Sequence, residues 1–360
     1  MNEKDFIYSK DIKLNGVLKW SAPSNIAIVK YWGKLENQIP QNPSISLTLS
    51  KSITNTSLSL TPKKNKTSNL HFEFEGEKQE SFEKKTLMFL NKIEKFFPFI
   101  KNHDLEIKSN NTFPHSSGIA SSASSMAALS TCLVDFEKMD NREMSDEYFF
   151  KKSSFIARIG SGSASRSVYG PVVIWGESKA YENSNDLFGI NISNQTHEIF
   201  KEFNDTILII DPGQKKISSS EGHELMNKNP FSNQRYEIAR KNVINLKEIL
   251  KSGDLDGFIS ITESEALMIH SLMLTSNPNY ILIKPNTLKV ISKITEFRTE
   301  TKLPICFTLD AGSNIHLLYP ENIKKKISDF IKVELMQYCF SNRYIDDEVG
   351  HGPKKILNEK

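Results

Sequence analysis

The sequence predicts an α+β fold organised in two lobes. The chain has 360 residues, a length typical of two domains or of one large two-lobed unit. Apolar and polar residues alternate between residues 45 and 74, which is the pattern of half-buried antiparallel strands. Apolar residues follow helical spacing in other segments, such as 87–97 and 239–250. Together these patterns predict a mixed protein with a large core.

Composition and charge exclude several classes of protein. Hydrophobic residues make up 38% and charged residues 25% of the chain, so disordered and fibrous classes are excluded. The net charge of +3 is spread along the sequence without the dense basic face of a nucleic-acid binder. Cys132, Cys306 and Cys339 are too few and too scattered for a disulfide framework or a cysteine-rich metal site. Residues 1–16 lack the apolar core of a signal peptide, and 18 apolar residues never run together, so we expect a soluble cytoplasmic protein with no membrane contact.

The first lobe, residues 1–200, is predicted to alternate strands and helices. A helix through 87–97 should stop at Pro98, and a second helix should end at Gly160. Residues 22–25 are interpreted as a turn between two strands, and residues 62–69 as a polar loop. The expected strands lie at 17–20, 26–31, 45–49, within 54–74, at 105–107 and at 172–175.

A stretch rich in serine, residues 110–125, has the features of a phosphate-binding loop. It opens into a helix of small residues, whose first turn leaves backbone N–H groups unpaired and carries partial positive charge. Its serines, Ser121, Ser122, Ser124 and Ser125, could add hydroxyl donors or a metal ligand. The lysine of the common P-loop is missing. The alternative, that serine and alanine only pack a tight helix behind a surface turn, is equally consistent with this stretch alone.

Two further segments offer groups that bind anions. Tyr31 and Lys34 flank Trp32 and Gly33, and they could supply a hydroxyl donor and a point charge to a phosphorylated substrate. Arg166 follows a run of glycines and serines that starts at Gly160, and a guanidinium pairs with carboxylate or phosphate through two hydrogen bonds. In isolation, the first segment is better explained as a strand end with solvated lysines. For the second segment, a flexible linker is the alternative, and the arginine at its end favours the anion site.

The second lobe, residues 201–360, is predicted to begin with the strand at 207–210. Three helices are expected, around 239–250, 258–274 and 288–294. A strand at 305–310 ends in Asp310 and a glycine turn, and a strand at 315–319 follows. An aspartate in this place is either a turn residue or a carboxylate directed into a cleft.

Taken together, these segments resemble the superfamily of galactokinase, homoserine kinase, mevalonate kinase and phosphomevalonate kinase, and most closely its diphosphomevalonate decarboxylase family. The resemblance spans most of the chain. It rests on the segments NIAIVKYWGK (25–34), PHSSGIASSA (114–123), ARIGSGSASRS (157–167) and TLDAGSN (308–314), in this order and spacing. It implies a two-lobed small-molecule kinase fold with a ribosomal protein S5 domain 2-like N-terminal lobe, a ferredoxin-like C-terminal lobe and a cleft between them.

The resemblance also implies a reaction in the mevalonate pathway of isoprenoid biosynthesis, the ATP-dependent decarboxylation of mevalonate 5-diphosphate to isopentenyl diphosphate, CO₂, ADP and phosphate. Asp310 would orient or deprotonate the 3-hydroxyl, Arg166 would hold the carboxylate, and Lys34 would contact phosphate. ATP and Mg²⁺ are the implied cofactors. The implied substrate-binding residues are Asn25, Tyr31, Lys34, Ser161, Gly162, Ser163 and Arg166. The implied ATP-binding residues are Pro114, Ser117, Gly118, Ala120, Ser121, Ser122 and Ser124, with Ser122 as a magnesium ligand.

Some residues depart from the family pattern and leave alternatives open. Ser313 replaces a proline, residues 115–117 replace Thr-Ala-Ala, and residues 218–228 differ where relatives shape the diphosphate end of the substrate. The alternatives are a decarboxylase of mevalonate 5-phosphate, a kinase that stops at phosphorylation, and a catalytically silent binding protein. His270 is interpreted as a core histidine without a chemical role. A homodimer is expected from the family resemblance.

Overall fold

The computed structural model describes residues 1–63, 70–114, 119–213 and 217–357. The strands, in chain order, are β1 (Gly16–Val29), β2 (Ser44–Pro62), β3 (Leu70–Phe74), β4 (Glu77–Lys78), β5 (His103–Asn111), β6 (Val172–Trp175), β7 (Ile190–Asn191), β8 (Phe203–Leu208), β9 (Cys306–Thr308), β10 (Ile315–Pro320), β11 (Tyr344–Glu348) and β12 (Lys354–Lys355). The α-helices are α1 (Glu80–Ile93), α2 (Ser121–Asp140), α3 (Asp146–Gly160), α4 (Ser219–Leu225), α5 (Ser232–Ser252), α6 (Leu255–Leu274), α7 (Pro285–Thr301) and α8 (Lys324–Phe330). Within these ranges, each helix is too short or too polar to cross a membrane.

The strands form two sheets, so the prediction of a mixed α+β fold is confirmed. The larger sheet has the order β12-β1-β2-β5-β3-β4, and β6 joins it on β2 and carries β7. The smaller sheet has the order β11-β8-β10-β9 and is antiparallel. The last strand, β12, returns to pair with β1 of the larger sheet. The boundary between residues 200 and 201 stays a prediction.

The prediction of a turn at residues 22–25 was wrong, because β1 continues through them. Its pairing with β2 shifts register between Pro23 and Asn25, which is how a strand accommodates a proline that has no N–H to donate. Residues 45–60, expected as separate strands, likewise form one strand, β2.

The predicted helices are confirmed, and their ends follow local capping chemistry. The Ser145 side chain accepts the N–H of Tyr148 at the start of α3, and Asp254 accepts that of Gly257 at the start of α6. Gly253 ends α5 with a φ of 80°, a left-handed conformation that suits glycine. Residues 162–168 form a 3₁₀ helix rather than a linker. The sequence patterns missed α4 and α8.

Separate apolar cores cover the two faces of each sheet. One lies between the larger sheet and helices α1, α2 and α3. A second joins β1, β2 and β6 to β8 and to helices α5 and α6 of the second lobe. The third lies between the smaller sheet and helices α7 and α8. The second core therefore packs the two lobes directly against each other, which fixes the walls of any cleft between them.

Asp347 is a polar connection across this junction. Its buried carboxylate accepts the backbone N–H groups of Ser50, Lys51 and Ser52 at 3.0, 2.7 and 2.7 Å. Three such hydrogen bonds satisfy a buried charge. The edge strand β11, which carries Asp347, is thereby attached to the middle of β2 in the other sheet.

Candidate active site

A cavity of about 460 Å³ lies where both lobes meet. Its walls come from the end of β1, from α1, from the first turn of α2, from residues 159–163, from α4 and α6, and from the turn after β9. Many of the residues expected to act together line it: Asn25, Tyr31, Lys34, Ala120, Ser122, Ser161, Gly162, Ser163, Arg166 and Asp310. Residues more than 280 positions apart are thus brought to one cleft. Their chemical roles stay predictions.

Asp310 is paired with a lysine to which the sequence analysis assigned no role. The Lys30 ammonium donates to its carboxylate at 3.0 Å. The lysine side chain is 2% exposed and the aspartate 27% exposed, so the carboxylate opens to the cavity while the lysine lies behind it. Burial lowers the pKa of Lys30, and the charge of Asp310 opposes this shift.

Arg166 is buried and held in one orientation by side chains of the larger sheet. Its guanidinium donates to the hydroxyls of Ser44 and Ser46 at 2.5 and 3.1 Å and to the Asn25 amide oxygen at 3.4 Å. Asn25 is itself fixed, because it donates to the Ser167 hydroxyl at 2.8 Å. Burial lowers the pKa of Arg166 to about 10, so it stays a cation at neutral pH. Its partners named here are neutral, which leaves its charge available to an anion in the cavity.

Tyr31 lies against Gly162, and only a glycine fits there. A Cβ atom at residue 162 would lie 2.7 Å from the Tyr31 hydroxyl and 2.9 Å from the Trp175 ring. The rings of Tyr31 and Trp175 meet edge to face at 4.8 Å. Burial raises the pKa of Tyr31, so its hydroxyl remains a neutral donor.

His223 is a cavity residue that sequence reasoning missed. It is buried between Tyr31 and Trp32, with ring centroids 4.4 and 4.7 Å away. Its Nδ1 atom accepts the N–H of Gly33 at 2.9 Å, so this nitrogen carries no proton. Burial, and then the charge of Lys34, lowers the pKa of His223 to about 3. It therefore contributes a neutral ring. No spacing in the sequence connects it to the other residues.

The first turn of α2 reaches the cavity, as the phosphate-loop interpretation requires. Ala120 precedes the helix with a φ of 45°, a strained conformation for alanine that turns the chain into it. The Ser122 hydroxyl lies 3.3 Å from that of Ser161, whereas Ser121 accepts the Asn111 amide at 2.9 Å. Ser124 is buried away from the cavity.

The Ser124 hydroxyl lies 2.6 Å from that of Thr54 and donates to the Ser121 carbonyl at 3.2 Å. The family resemblance implies a contact between Ser124 and ATP, but this side chain lies outside the lining of the cavity. Pro114 is described but does not line the cavity. Ser117 and Gly118 lie outside the described residues.

Lysines form a basic rim at the same cavity. Lys34 follows β1, and Lys85 and Lys92 lie on α1. Burial lowers the pKa of Lys34, the Glu224 carboxylate raises it, and the charge of Lys92 lowers it further. The two α1 lysines were missed because a solvated helix face carries lysines just as often. A rim of this kind attracts a polyanionic ligand.

His270, interpreted as a core histidine without a role, touches the backbone of the candidate base. It is buried on α6, and its Nε2 lies 3.1 Å from the carbonyl oxygen of Asp310. No cluster of three or more His, Cys, Asp and Glu side chains is arranged around a metal position anywhere in the described ranges. Mg²⁺ commonly uses only one or two protein oxygens together with phosphates, and the Ser122 hydroxyl at the cavity wall fits that mode.

Comparison with known proteins matches both lobes to domains of the same enzyme family. Residues 22–186 match the diphosphomevalonate decarboxylase-like N-terminal domain, and residues 206–356 match the mevalonate 5-diphosphate decarboxylase C-terminal domain. The diphosphomevalonate decarboxylase of Debaryomyces hansenii is 28% identical over 321 residues, covering 85% of this chain and 80% of the relative.

Solved structures agree with this match. Mevalonate diphosphate decarboxylase from Staphylococcus aureus superposes with a TM-score of 0.82 at 26% identity, covering 96% of this chain and 99% of its own. MDDEF in complex with MVAPP, AMPPCP and magnesium gives 0.81 at 26% identity, with 96% and 100% covered. Since the two domain matches together span most of the sequence, this chain belongs to the diphosphomevalonate decarboxylase family.

Proposed function

We propose that this protein catalyses the ATP-dependent decarboxylation of mevalonate 5-diphosphate to isopentenyl diphosphate, with release of CO₂, ADP and phosphate. One observation carries the proposal. A single cavity holds the Asp310 carboxylate on Lys30, the buried Arg166 cation and the first turn of α2. These are a base, a carboxylate-binding group and a phosphate-binding group, which are the three functions that this reaction needs.

ATP binds with its phosphates toward the first turn of α2. The positive end of this helix attracts anions, and Ser122 adds a hydroxyl at the cavity wall. Lys85 and Lys92 of α1 add positive charge to the same cavity. When bound, Mg²⁺ neutralises charge on the phosphates during transfer. The solved complex of MDDEF with AMPPCP and magnesium supports ATP and Mg²⁺ as the ligands.

Asp310 accepts the proton of the substrate 3-hydroxyl as the hydroxyl oxygen attacks the γ-phosphorus of ATP. The bond between that phosphorus and the bridging oxygen breaks, and ADP leaves. A positioned base of this kind contributes roughly 10²–10⁴-fold to the rate. Lys30 keeps the carboxylate in place from the buried side, so the accepting oxygen does not rotate away from the cavity.

Arg166 acts in the second step. Phosphate departs from the tertiary carbon with the electrons of the C–O bond, and the C–C bond to the carboxylate breaks to give the alkene and CO₂. The carboxylate must remain anionic and aligned for this step. The guanidinium donates three hydrogen bonds, to Ser44, Ser46 and Asn25, and these hold it in position before substrate arrives, so little entropy is lost on binding.

The diphosphate end of the substrate binds near Tyr31, Ser161, Gly162 and Ser163. These residues line one side of the cavity, and the 3₁₀ turn from residue 162 directs small side chains and backbone toward it. Lys34 lies at this side and supplies a cation. The solved complex of MDDEF with MVAPP supports a substrate of this kind.

The proposal is tested by measuring both products with purified protein, ATP and Mg²⁺. Mevalonate 5-diphosphate labelled at the carboxyl carbon should release CO₂ and ADP in a 1:1 ratio. Mevalonate 5-phosphate, tested in parallel, should give little of either. ADP without CO₂ would identify a kinase, and equal turnover of the monophosphate would identify the other decarboxylase. Absence of both products with a folded protein would refute the proposal.

A cytoplasmic homodimer is part of the same proposal. Its support is the family membership, together with buried and unpaired thiols at Cys132, Cys306 and Cys339, which suit a reducing compartment. Light scattering coupled to gel filtration should give about twice the mass of 41.0 kDa of one chain. A mass of one chain at micromolar concentration would contradict the dimer.

A further inference from the structure

A buried ion pair lies directly behind Lys30, although it does not line the cavity. Arg235 on α5 and Glu265 on α6 are 1% and 0% exposed, and they meet through two contacts of 2.6 and 3.2 Å. Both side chains also bind the main chain of Lys30. The Lys30 N–H donates to Glu265 at 2.9 Å, and Arg235 donates to the Lys30 carbonyl at 3.3 Å.

The hydrogen bonding of Glu265 is saturated. One carboxylate oxygen accepts Arg235 and the Lys30 N–H, and the other accepts Arg235 and the Asn242 amide at 2.7 Å. A buried charge pair costs several kcal/mol of desolvation unless such partners satisfy it, and an apolar pair is often as stable. Stability alone therefore does not account for placing two charges here. Their joint target is the backbone of one residue, Lys30, whose N–H and carbonyl they bind.

The same helix also binds the other member of the candidate catalytic pair. Five residues after Glu265, His270 reaches the carbonyl of Asp310 at 3.1 Å. Lys30 belongs to the first lobe and Asp310 to the second, so their 3.0 Å contact depends on how the lobes are joined. Helix α6 therefore holds the backbones of both residues, one through Glu265 and one through His270.

We infer that Glu265, with Arg235, is a positioning residue that fixes Lys30 against Asp310 across the lobe junction. The inference rests on the proposed function, because Asp310 is its candidate base. It adds residues that never touch the substrate. A displacement of about 1 Å in a catalytic group can cost roughly 10²-fold in rate, so loosening the Lys30 backbone should lower kcat rather than raise KM.

The pH dependence of activity gives a second readout of the inference, because Glu265 carries a charge close to Lys30. The charged groups that act on Lys30 are Asp310 and Glu265, which raise its pKa, and Arg166, which lowers it; Lys30 in turn acts on Asp205 of β8. Replacing Glu265 by a neutral side chain lowers the pKa of Lys30. If protonated Lys30 is needed, activity should then be lost at a lower pH on the alkaline side of the profile.

The chain contains a matched control two residues away on α6. Glu263 pairs with Arg298 through contacts of 2.6 and 2.9 Å. This pair also binds main chain, since Glu263 accepts the Phe307 N–H at 3.3 Å and Arg298 donates to the Ile305 carbonyl at 2.8 Å. It fixes β9 rather than Lys30. Glu263→Gln therefore weakens a bidentate pair on the same helix without touching Lys30; the control pair is partly buried, with Glu263 15% and Arg298 23% exposed.

The experiment compares Glu265→Gln, Arg235→Lys and Glu263→Gln with the parent protein by kcat, KM, pH profile and thermal unfolding. Arg235→Lys keeps the charge but loses the planar guanidinium that bridges Glu265 and Lys30. If Glu265→Gln does not fold, this variant still tests whether the pair positions Lys30. We expect kcat to fall roughly 10–100-fold in Glu265→Gln and Arg235→Lys, with KM for ATP within about twofold. Glu263→Gln should keep kcat within about twofold. Only Glu265→Gln should shift the alkaline limb to lower pH.

Retained kcat in folded Arg235→Lys and Glu265→Gln would overturn the inference. So would equal losses of kcat in Glu263→Gln and Glu265→Gln, since the effect would then follow stability alone. Failure of the proposed function is a separate result, because it appears as absent CO₂ release in the parent protein before any variant is made.

Discussion

Replacing Asp310 by asparagine tests the candidate base most directly. The amide keeps the shape of the side chain but cannot take the hydroxyl proton. The loss of a general base lowers the rate by roughly 10²–10⁴-fold, which corresponds to about 2.7–5.4 kcal/mol in the activation free energy. ATP binding should survive, because the first turn of α2 does not depend on Asp310.

The structure also sets the expected change in stability. Asparagine leaves the ammonium of Lys30, which is 2% exposed, without its carboxylate. Breaking a fully buried pair costs about 3–5 kcal/mol, whereas a surface pair is worth about 0–1 kcal/mol. The Asp310 side chain is 27% exposed, so we expect an intermediate loss of roughly 1–2 kcal/mol. This leaves the protein folded at 25 °C, since domains have about 5–15 kcal/mol of stability.

The assay is CO₂ release from carboxyl-labelled substrate, together with calorimetric binding of an ATP analogue. A control outside the cavity is Asp211→Asn, because Asp211 follows β8 and pairs with Lys284 at 3.3 Å in a more exposed ion pair. Near-normal turnover of Asp310→Asn would refute its role as the base. Equal losses in both variants would attribute the effect to stability instead.

Other side chains of the cavity give further predictions. Ser122→Ala should lower kcat by roughly 10²–10³-fold if the hydroxyl stabilises the transferred phosphoryl group. Ser124→Ala should instead cost about 1 kcal/mol of unfolding free energy, with little change in kcat. Initial rates and urea unfolding measure the two effects, and a loss of kcat in Ser124→Ala with a loss of stability in Ser122→Ala would contradict the placement of both side chains. Gly162→Ala should displace Tyr31 at a cost of about 1–3 kcal/mol and raise the KM for the diphosphate substrate roughly tenfold, and an unchanged KM would show that Tyr31 does not bind it. His223 has a folded-state pKa of about 3, below its usual value near 6.5, so the unfolded state binds a proton that the folded state does not. Stability should therefore fall as the pH drops from about 6.5 towards 3, by up to about 1.36 kcal/mol per pH unit. Urea unfolding should show that His223→Gln lacks this pH dependence, and an identical pH dependence in the variant would assign the effect to another residue.

Asp310 and Arg166, which the sequence singled out, line one cavity, whereas the side chains that pair with them could not be predicted. Asp310 stands out because a carboxylate and a glycine turn end an apolar strand, and Arg166 because it ends a run of small residues. Lys30 stands in an ordinary strand end, and its partner lies 280 positions away. Only the packing of the two lobes makes that lysine buried, and local sequence carries no information about it.

The strand β1 illustrates how tertiary contacts override a local signal. Residues 22–25 contain proline, serine and asparagine, which is a turn pattern. In the structure, Ser24 donates to the Ile119 carbonyl at 2.5 Å, and Asn25 donates to Ser163 and Ser167. Because these polar side chains form hydrogen bonds with distant segments, they are satisfied while the backbone stays extended. A short-range rule cannot anticipate partners of this kind.

Helix α6 shows a similar limit. Its apolar pattern was sufficient to predict a helix and its buried face, and His270 fitted that face as a core residue. The contact of His270 with the Asp310 carbonyl depends on the turn after β9, and the contact of Glu265 with Lys30 depends on β1. Burial was predictable from spacing, but the identity of the neighbours was not.

The return of β12 to β1 has a consequence for the order in which the protein assembles. Trp20 and Ser21 pair with Lys355 and Lys354, and β2 binds Asp347 through three backbone groups. During synthesis on the ribosome, the β1 edge of the larger sheet therefore stays unpaired until β12 has emerged. Contacts of such long range slow folding. Expressing the two lobes as separate fragments leaves β1 with an open strand edge and β12 without its partner strand, which favours aggregation over independent folding.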